Sequence, residues 1–217
     1  MRSTTGVLAI DLGTSGVKVA VVDEGAKVLA SARAGLATTF LPDGGAEQDA
    51  DAWWEAIGAC AREIVADHRA AIAAVVVTSQ YMSVVAVDGR GRPVAPVVMW
   101  MDQRGLRHVE VPSGEDDLVL WLDRHGMFPA FGDPAHIAFL RAERPQAYET
   151  AAALLEPVDA LNARLTGRIC ATQTTAMPLM TVDNRTLGAT VHDPDLVARS
   201  GLDPAKLPPL IAHDDVV

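Results

Sequence analysis

The tightest constraint on this chain lies close to its N-terminus, where three apolar, β-rich runs follow one another with only tight turns between them. Gly6 to Leu12 reads as a buried strand ending in an acidic residue and a glycine. Gly13-Thr14-Ser15-Gly16 is a turn, and Val17 to Asp23 is a second run. Glu24-Gly25-Ala26 turns the chain again, and Lys27 to Arg33 alternates like a third strand. Strands joined this closely are antiparallel neighbours, because parallel strands need a crossover of a dozen or more residues. The chain therefore opens with a three-stranded meander.

Phe40 to Ala46 is rich in Gly and Pro and reads as a loop. Asp49 or Asp51 caps a helix that runs to about His68, with Trp53, Ile57, Cys60, Ile64 and Val65 recurring on its buried face. Ile72 to Thr78 and Val84 to Val87 are strand-like, Gly89 to Pro93 is a turn, and Val94 to Met99 is strand-like again. This β-β-β-α-β order is that of the ribonuclease H-like, actin-type nucleotide-binding lobe, an attachment made by analogy. The expected fold class is α/β, a mixed five-stranded sheet with flanking helices. A helical insert is expected over roughly 103–166, with helices at Asp116 to Arg124, Pro134 to Arg144 and Pro157 to Leu165. After Asp183 the chain is rich in turns, and Leu207 to Val217 looks like a connector.

Composition excludes several classes. The chain has 217 residues, 49% of them hydrophobic, which suits a folded core and not a disordered segment. Its formal net charge of −10 argues against nucleic-acid or anionic-membrane partners, which need clustered Lys and Arg. A nucleotide remains open to it, because backbone N–H groups and a cation can hold phosphates. Cys60 and Cys170 stand far apart, as reduced buried thiols do. No run reaches membrane-spanning length, and Met1 to Thr5 is too short and polar for a signal peptide, so a cytoplasmic setting is expected. The six histidines show no metal spacing, and Met99, Met101, Met177 and Met180 read as core filling.

The most informative stretch is Ile10 to Lys18. Asp11 ends a buried strand, where a carboxylate needs hydrogen bonds or a cation. Gly13 and Gly16 let the backbone approach a ligand, Thr14 and Ser15 add hydroxyls, and Lys18 adds a positive charge. These parts suit an ATP phosphate with Mg²⁺, which prefers carboxylate and water oxygens, with Asp11 orienting the metal through water. The other reading is a plain hairpin with an Asp near its tip. The stretch is neither a Walker P-loop nor a Rossmann fingerprint.

The hairpin resembles the first phosphate motif of the actin, heat-shock-protein and sugar-kinase superfamily. Three further segments narrow the resemblance to the FGGY carbohydrate kinases. Glu47-Gln48-Asp49-Ala50-Asp51-Ala52-Trp53-Trp54 resembles that family's "EQD…WW" segment, Trp100-Met101-Asp102-Gln103-Arg104 its "W-x-D-x-R", and Leu154 to Gly167 its "PxDYLxxxLTG". The resemblance covers nearly the whole chain and implies an N-terminal kinase domain over 1–217.

That resemblance implies ATP-dependent phosphorylation of a sugar or polyol hydroxyl, with ATP and Mg²⁺ as cofactors. Gln80, Tyr81 and Met82 fall where the family places substrate contacts. Gln80 matches the xylulokinase and glycerol kinase patterns, and the residues after it match neither, which leaves ketoses, glycerol and other polyols open. Trp100, Asp102 and Arg104 border the expected pocket; the other role open to Asp102 and Arg104 is a local ion pair at the strand exit. Trp53 and Trp54 read as helix packing, and Asp159 as a structural residue near a helix start. In this family the general base is an Asp in a Gly-rich segment of the second lobe. Asp214 and Asp215 lack that context, so the isolated chain is expected to be inactive. A separate C-terminal lobe, a homo-oligomer, and a noncatalytic sugar-binding or regulatory role are the partner and function alternatives. A chaperone-like actin-fold ATPase fits the last two motifs poorly.

Overall fold

The computed structural model describes residues 6–66, 72–109, 114–128 and 132–217. The readings placed on Met1 to Thr5 and on the helix end near His68 lie outside the described residues. The chain divides into two compact units, one built on residues up to Thr38 with Gln48–Gln80, the other on Thr39–Glu47 with Tyr81–Val217.

In the first unit the predicted meander is present. Strand β1 (Gly6–Gly13) pairs antiparallel with β2 (Gly16–Asp23), which pairs antiparallel with β3 (Val28–Gly35). Two short strands, β4 (Thr39–Phe40) and β5 (Ala46–Gln48), precede helix α1 (Ala50–Val65). Asp49 is the N-cap: its carboxylate accepts from the Asp51 N–H at 2.8 Å. Strand β6 (Ile72–Ser79) returns beside β1 in parallel, giving the order β3-β2-β1-β6. Ile10, Leu12, Val17, Val19 and Val21 alternate onto one sheet face, and α1 buries Trp53, Ile57, Cys60 and Ile64 in this unit's core.

The mixed α/β architecture is as expected, but this sheet has four strands among the described residues where five were expected. The difference lies in the later apolar runs, which pair elsewhere. In the second unit, β7 (Val85–Val87) pairs antiparallel with β9 (Ala153–Leu155). Of Val94 to Met99 only Val97–Val98 is a strand, β8, in a three-stranded sheet ordered β4-β5-β8. A run of valines specifies a buried strand and not the strand it will pair with.

The second unit is otherwise helical: α2 (Glu115–Arg124), α3 (Asp133–Glu143), α4 (Pro145–Thr150), α5 (Pro157–Thr166) and α6 (Pro194–Ser200). Pro at the start of α3, α4, α5 and α6 fits the N-terminal turn, where the missing N–H has no partner to lose. Gly167 ends α5 at φ +77, in the left-handed region. Val84, Ala86, Val98, Ile137, Phe139, Leu140, Leu154, Leu179 and Val182 form the core. The stretch read as a connector is stitched into this unit. Strand β11 (Leu210–Ile211) pairs with β10 (Ala171–Thr172), and Ala171 donates to the Pro209 carbonyl.

Cys60 and Cys170 are free and buried. Met99 and Met180 are fully buried, as core filling requires, whereas Met101 and Met177 are partly buried. Among the described residues no helix is long and apolar enough to cross a membrane, and no group of three or more His, Cys, Asp or Glu is placed to hold a metal.

Candidate functional site

The antiparallel register of β1 and β2 sets Asp11 opposite Lys18 and Gly13 opposite Gly16. Directly opposed residues project to one face, and Lys18 Nζ lies 3.2 Å from Asp11 Oδ2. The Asp11 side chain is 46% exposed and that of Lys18 75%. So open a pair contributes only about 0–1 kcal/mol. The pair therefore adds little to stability, and the Asp11 carboxylate is open to solvent. The turn borders a cavity of about 430 Å³ whose lining includes Gly13, Ser15, Gly16, Lys18 and Arg33. Two cations and no acid line it, a donor set that fits an anion such as a phosphate. Gly16 is required by packing: a Cβ there would sit 2.5 Å from the Ala34 carbonyl oxygen.

Behind this turn lies a residue whose role sequence reasoning missed. Gln48, 3% exposed, donates from Nε2 to the Thr14 carbonyl at 2.7 Å and to Thr38 Oγ1 at 2.8 Å. Its Oε1 accepts from Trp53 Nε1 at 2.8 Å and from Gln80 Nε2 at 3.2 Å. An amide has two N–H donors and two lone pairs on oxygen, and here all four are used. The amide's orientation is dictated by chemistry, since the indole only donates and the Thr14 carbonyl only accepts. Gln80 is held further by its own N–H, which donates to the Leu12 carbonyl at 2.6 Å. One buried side chain thus ties the Gly13 to Gly16 turn to the first residue of the Gln80-Tyr81-Met82 segment. Q48L strands the buried indole N–H of Trp53, so about 2 kcal/mol or more of stability is lost in urea unfolding. A loss below about 0.5 kcal/mol contradicts this assignment.

In the second unit the remaining predicted residues separate into two groups. Tyr81 is 37% exposed with its hydroxyl donating to the Thr174 carbonyl at 2.9 Å, and Trp100 is 52% exposed. Met82 has φ +60, unusual for a residue with a Cβ. The Trp100 N–H donates to Ser83 Oγ at 2.9 Å. These side chains border solvent.

Asp102 and Arg104 do not, and the ion pair that was one of the two readings open to them is present. They are 6% and 4% exposed. Asp102 Oδ1 accepts from the Arg104 N–H and Nε, and Oδ2 accepts from the Ala46 N–H and from Arg104 Nη2 at 2.6 Å. Arg104 Nη2 also reaches Glu47 Oε1, which Arg144 shares, and its guanidinium lies 4.0 Å from the Phe139 ring centroid. Burial pushes the Asp102 carboxyl up, but the Arg104 side chain and the two backbone N–H groups outweigh it and hold it below the ordinary range. Both residues form the ion pair at the strand exit, extended to Glu47.

Beneath the Tyr81-Met82 segment lies a cluster of buried acids that sequence reasoning did not assign to the site. Asp133, Glu156 and Asp159 are 1%, 2% and 4% exposed. Burial, then the Asp133 charge and hydrogen bond, push the Glu156 carboxyl up to about 11. Burial raises Asp159 to about 7 against an opposing Thr175 hydrogen bond. Burial, then Glu156, Asp133 and Asp159, push the Tyr81 phenol up. The available signal was Glu156 itself, an acid at the end of the apolar run Ala151 to Leu155.

Three antiparallel strands extended by one parallel strand and backed by a helix define an α/β fold. The sequence profile of the FGGY family of carbohydrate kinases, N-terminal domain, matches residues 6–217. This chain belongs to that family. It is 31% identical over 217 residues to a xylulose kinase of Streptomyces rubiginosus, covering 97% of this chain and 43% of that protein. An apulose kinase of Pectobacterium atrosepticum is 35% identical over 134 residues, covering 58% of this chain and 27% of that protein. A solved xyloylose kinase from Brucella ovis is similar at a TM-score of 0.80 and 25% identity, over 95% of this chain and 43% of that one. The chain thus spans less than half the length of these relatives.

Proposed function

We propose that this chain forms the phosphate- and sugar-facing part of an ATP-dependent kinase that phosphorylates a hydroxyl of a small sugar, a ketopentose such as xylulose. The observation that carries the reading is the half-exposed Asp11 carboxylate beside a glycine and hydroxyl turn whose cavity is lined by Lys18 and Arg33. The ketopentose follows from the name of the Streptomyces rubiginosus relative.

Bound ATP·Mg²⁺ supplies the phosphoryl group and a cation that neutralises its charge. Gly13, Thr14, Ser15 and Gly16 would offer backbone and hydroxyl groups to the phosphates, Lys18 would add positive charge, and Asp11 would help to hold the metal. Gln80, Tyr81, Met82 and Trp100 face the sugar, with the Trp100 ring offered to its C–H surface. The acceptor hydroxyl must also lose a proton to a general base. That base belongs to the part of the relatives this chain does not match.

A coupled assay with ATP·Mg²⁺ and xylulose tests this. The isolated chain is expected to turn over far below the roughly 1–100 per second usual for kinases. Joining it to the unmatched C-terminal portion of the Streptomyces rubiginosus relative restores turnover, and D11N in the joined protein lowers it by about 100-fold or more. Ordinary turnover by the isolated chain, or an unaffected D11N, contradicts the reading.

A further inference from the structure

The segment that follows β6 is shaped from below by an acid. Glu156 follows β9, is 2% exposed, and both its carboxyl oxygens accept from the Met82 N–H, at 3.0 and 3.1 Å. The next N–H, that of Ser83, is turned toward the same carboxyl. Two successive backbone N–H groups converging on one carboxyl require the chain to curl at Met82, and Met82 is the residue with φ +60. The conformation is unfavourable for a side chain of this size, so something must hold it. Gly132 lies close by: a Cβ on it would sit 2.8 Å from the Met82 methyl.

The bonding continues outward to both exposed aromatics. Ser83 Oγ accepts from the Trp100 N–H, and the Tyr81 hydroxyl donates to the Thr174 carbonyl. On its other side Glu156 is hydrogen-bonded to Asp133, whose Oδ1 lies 3.8 Å from the buried His136 Nδ1. Neither of those last two atoms has a hydrogen-bond partner.

We propose that Glu156 is a positioning residue for the sugar-facing segment, its carboxyl holding the Met82 and Ser83 N–H groups and thereby setting where Tyr81, Met82 and Trp100 point. This rests on the sugar reading above, although the hold on the backbone does not. The carboxyl acts as an acceptor toward the backbone and as a proton donor toward Asp133. A glutamine meets both needs, since its oxygen accepts and its NH₂ donates. Leucine meets neither, and aspartate is one methylene too short.

Amide hydrogen exchange of the full chain at Met82 and Ser83 is the test, read in the wild type, E156Q, E156D and E156L. E156Q is expected to exchange within about threefold of the wild type at these amides, and E156L and E156D about tenfold or more faster, while Val85 and Val87 stay protected in all. Should E156L not fold, E156M takes its place in the comparison with E156Q. Equal exchange in all variants, or E156Q behaving like the apolar variant, overturns the proposal, because a mere space-filling role would not distinguish glutamine from an apolar side chain of similar size. Xylulose is then titrated while the Trp100 indole N–H resonance is followed. A shift in the wild type and E156Q that weakens in E156D supports the sugar role. An unresponsive wild-type resonance with the exchange pattern intact overturns the sugar reading and leaves the backbone hold standing.

Discussion

Replacing Arg104 with methionine is expected to destabilise the chain by about 3–5 kcal/mol, read as a lowered urea midpoint at unchanged slope. The guanidinium is 4% exposed and serves Asp102 and Glu47, themselves 6% and 8% exposed. Without it Asp102 keeps only the Ala46 and Arg104 N–H groups and carries an uncompensated buried charge. Arg144 still reaches Glu47, so the damage concentrates at Asp102. Methionine retains apolar contact with Phe139, which isolates the electrostatic loss. R104K recovers only part of it, because a point charge cannot reproduce the fork that engages both carboxylates. A loss under about 1 kcal/mol in R104M contradicts the account of this network.

The second large effect is on pH dependence. Glu156 and Asp159 have folded-state values raised above their ordinary ones, to about 11 and about 7. The native state therefore holds protons that the unfolded state has released. Stability is full below the ordinary carboxylate range and falls as pH rises toward those raised values. His125 and His192 oppose this: burial lowers both against backbone carbonyl bonds, so they favour the native state as pH rises to their ordinary value of 6.5. Above neutrality the histidines are silent and Asp159 is largely titrated, which leaves Glu156. Each such group contributes a slope of at most about 1.4 kcal/mol per pH unit. Stability is thus expected to fall between pH 7 and pH 9, by at most about 3 kcal/mol, and E156Q to flatten that decline. A wild-type chain equally stable at both pH values contradicts the placement of these acids.

Much of the first unit was legible because its signals are local. The meander follows from turn residues between short β-rich runs, and the spacing of Trp53, Ile57, Cys60 and Ile64 marks a one-sided helix. Pairing is not local. Val84 to Val87 and Val94 to Met99 carry no mark that separates a strand of the main sheet from one that pairs with Ala153–Leu155 or with β5. Helix α6 was missed because its seven residues are too few to show a period, although Asp193 and Gly201 bracket it as cap and stop. At the site, the carboxylate and turn of Asp11 to Lys18 were readable since both partners lie in one hairpin. Asp102 and Arg104 were not separable from ligand-binding residues, because the deciding partner, Glu47, lies 57 positions from Arg104. Gln48 stands within a recognisable motif, but its four partners come from Thr14, Thr38, Trp53 and Gln80.

The hairpin itself is most directly tested by adding Mn²⁺·ATP to the isotopically labelled chain and following the loss of backbone amide signals near the paramagnetic ion. The account predicts broadening confined to residues around Asp11 and the Gly13 to Lys18 turn, and its marked weakening in D11N at the same nucleotide concentration. Broadening that is absent there, centred elsewhere, or indifferent to D11N would mean that the hairpin is not where the metal-bound nucleotide sits.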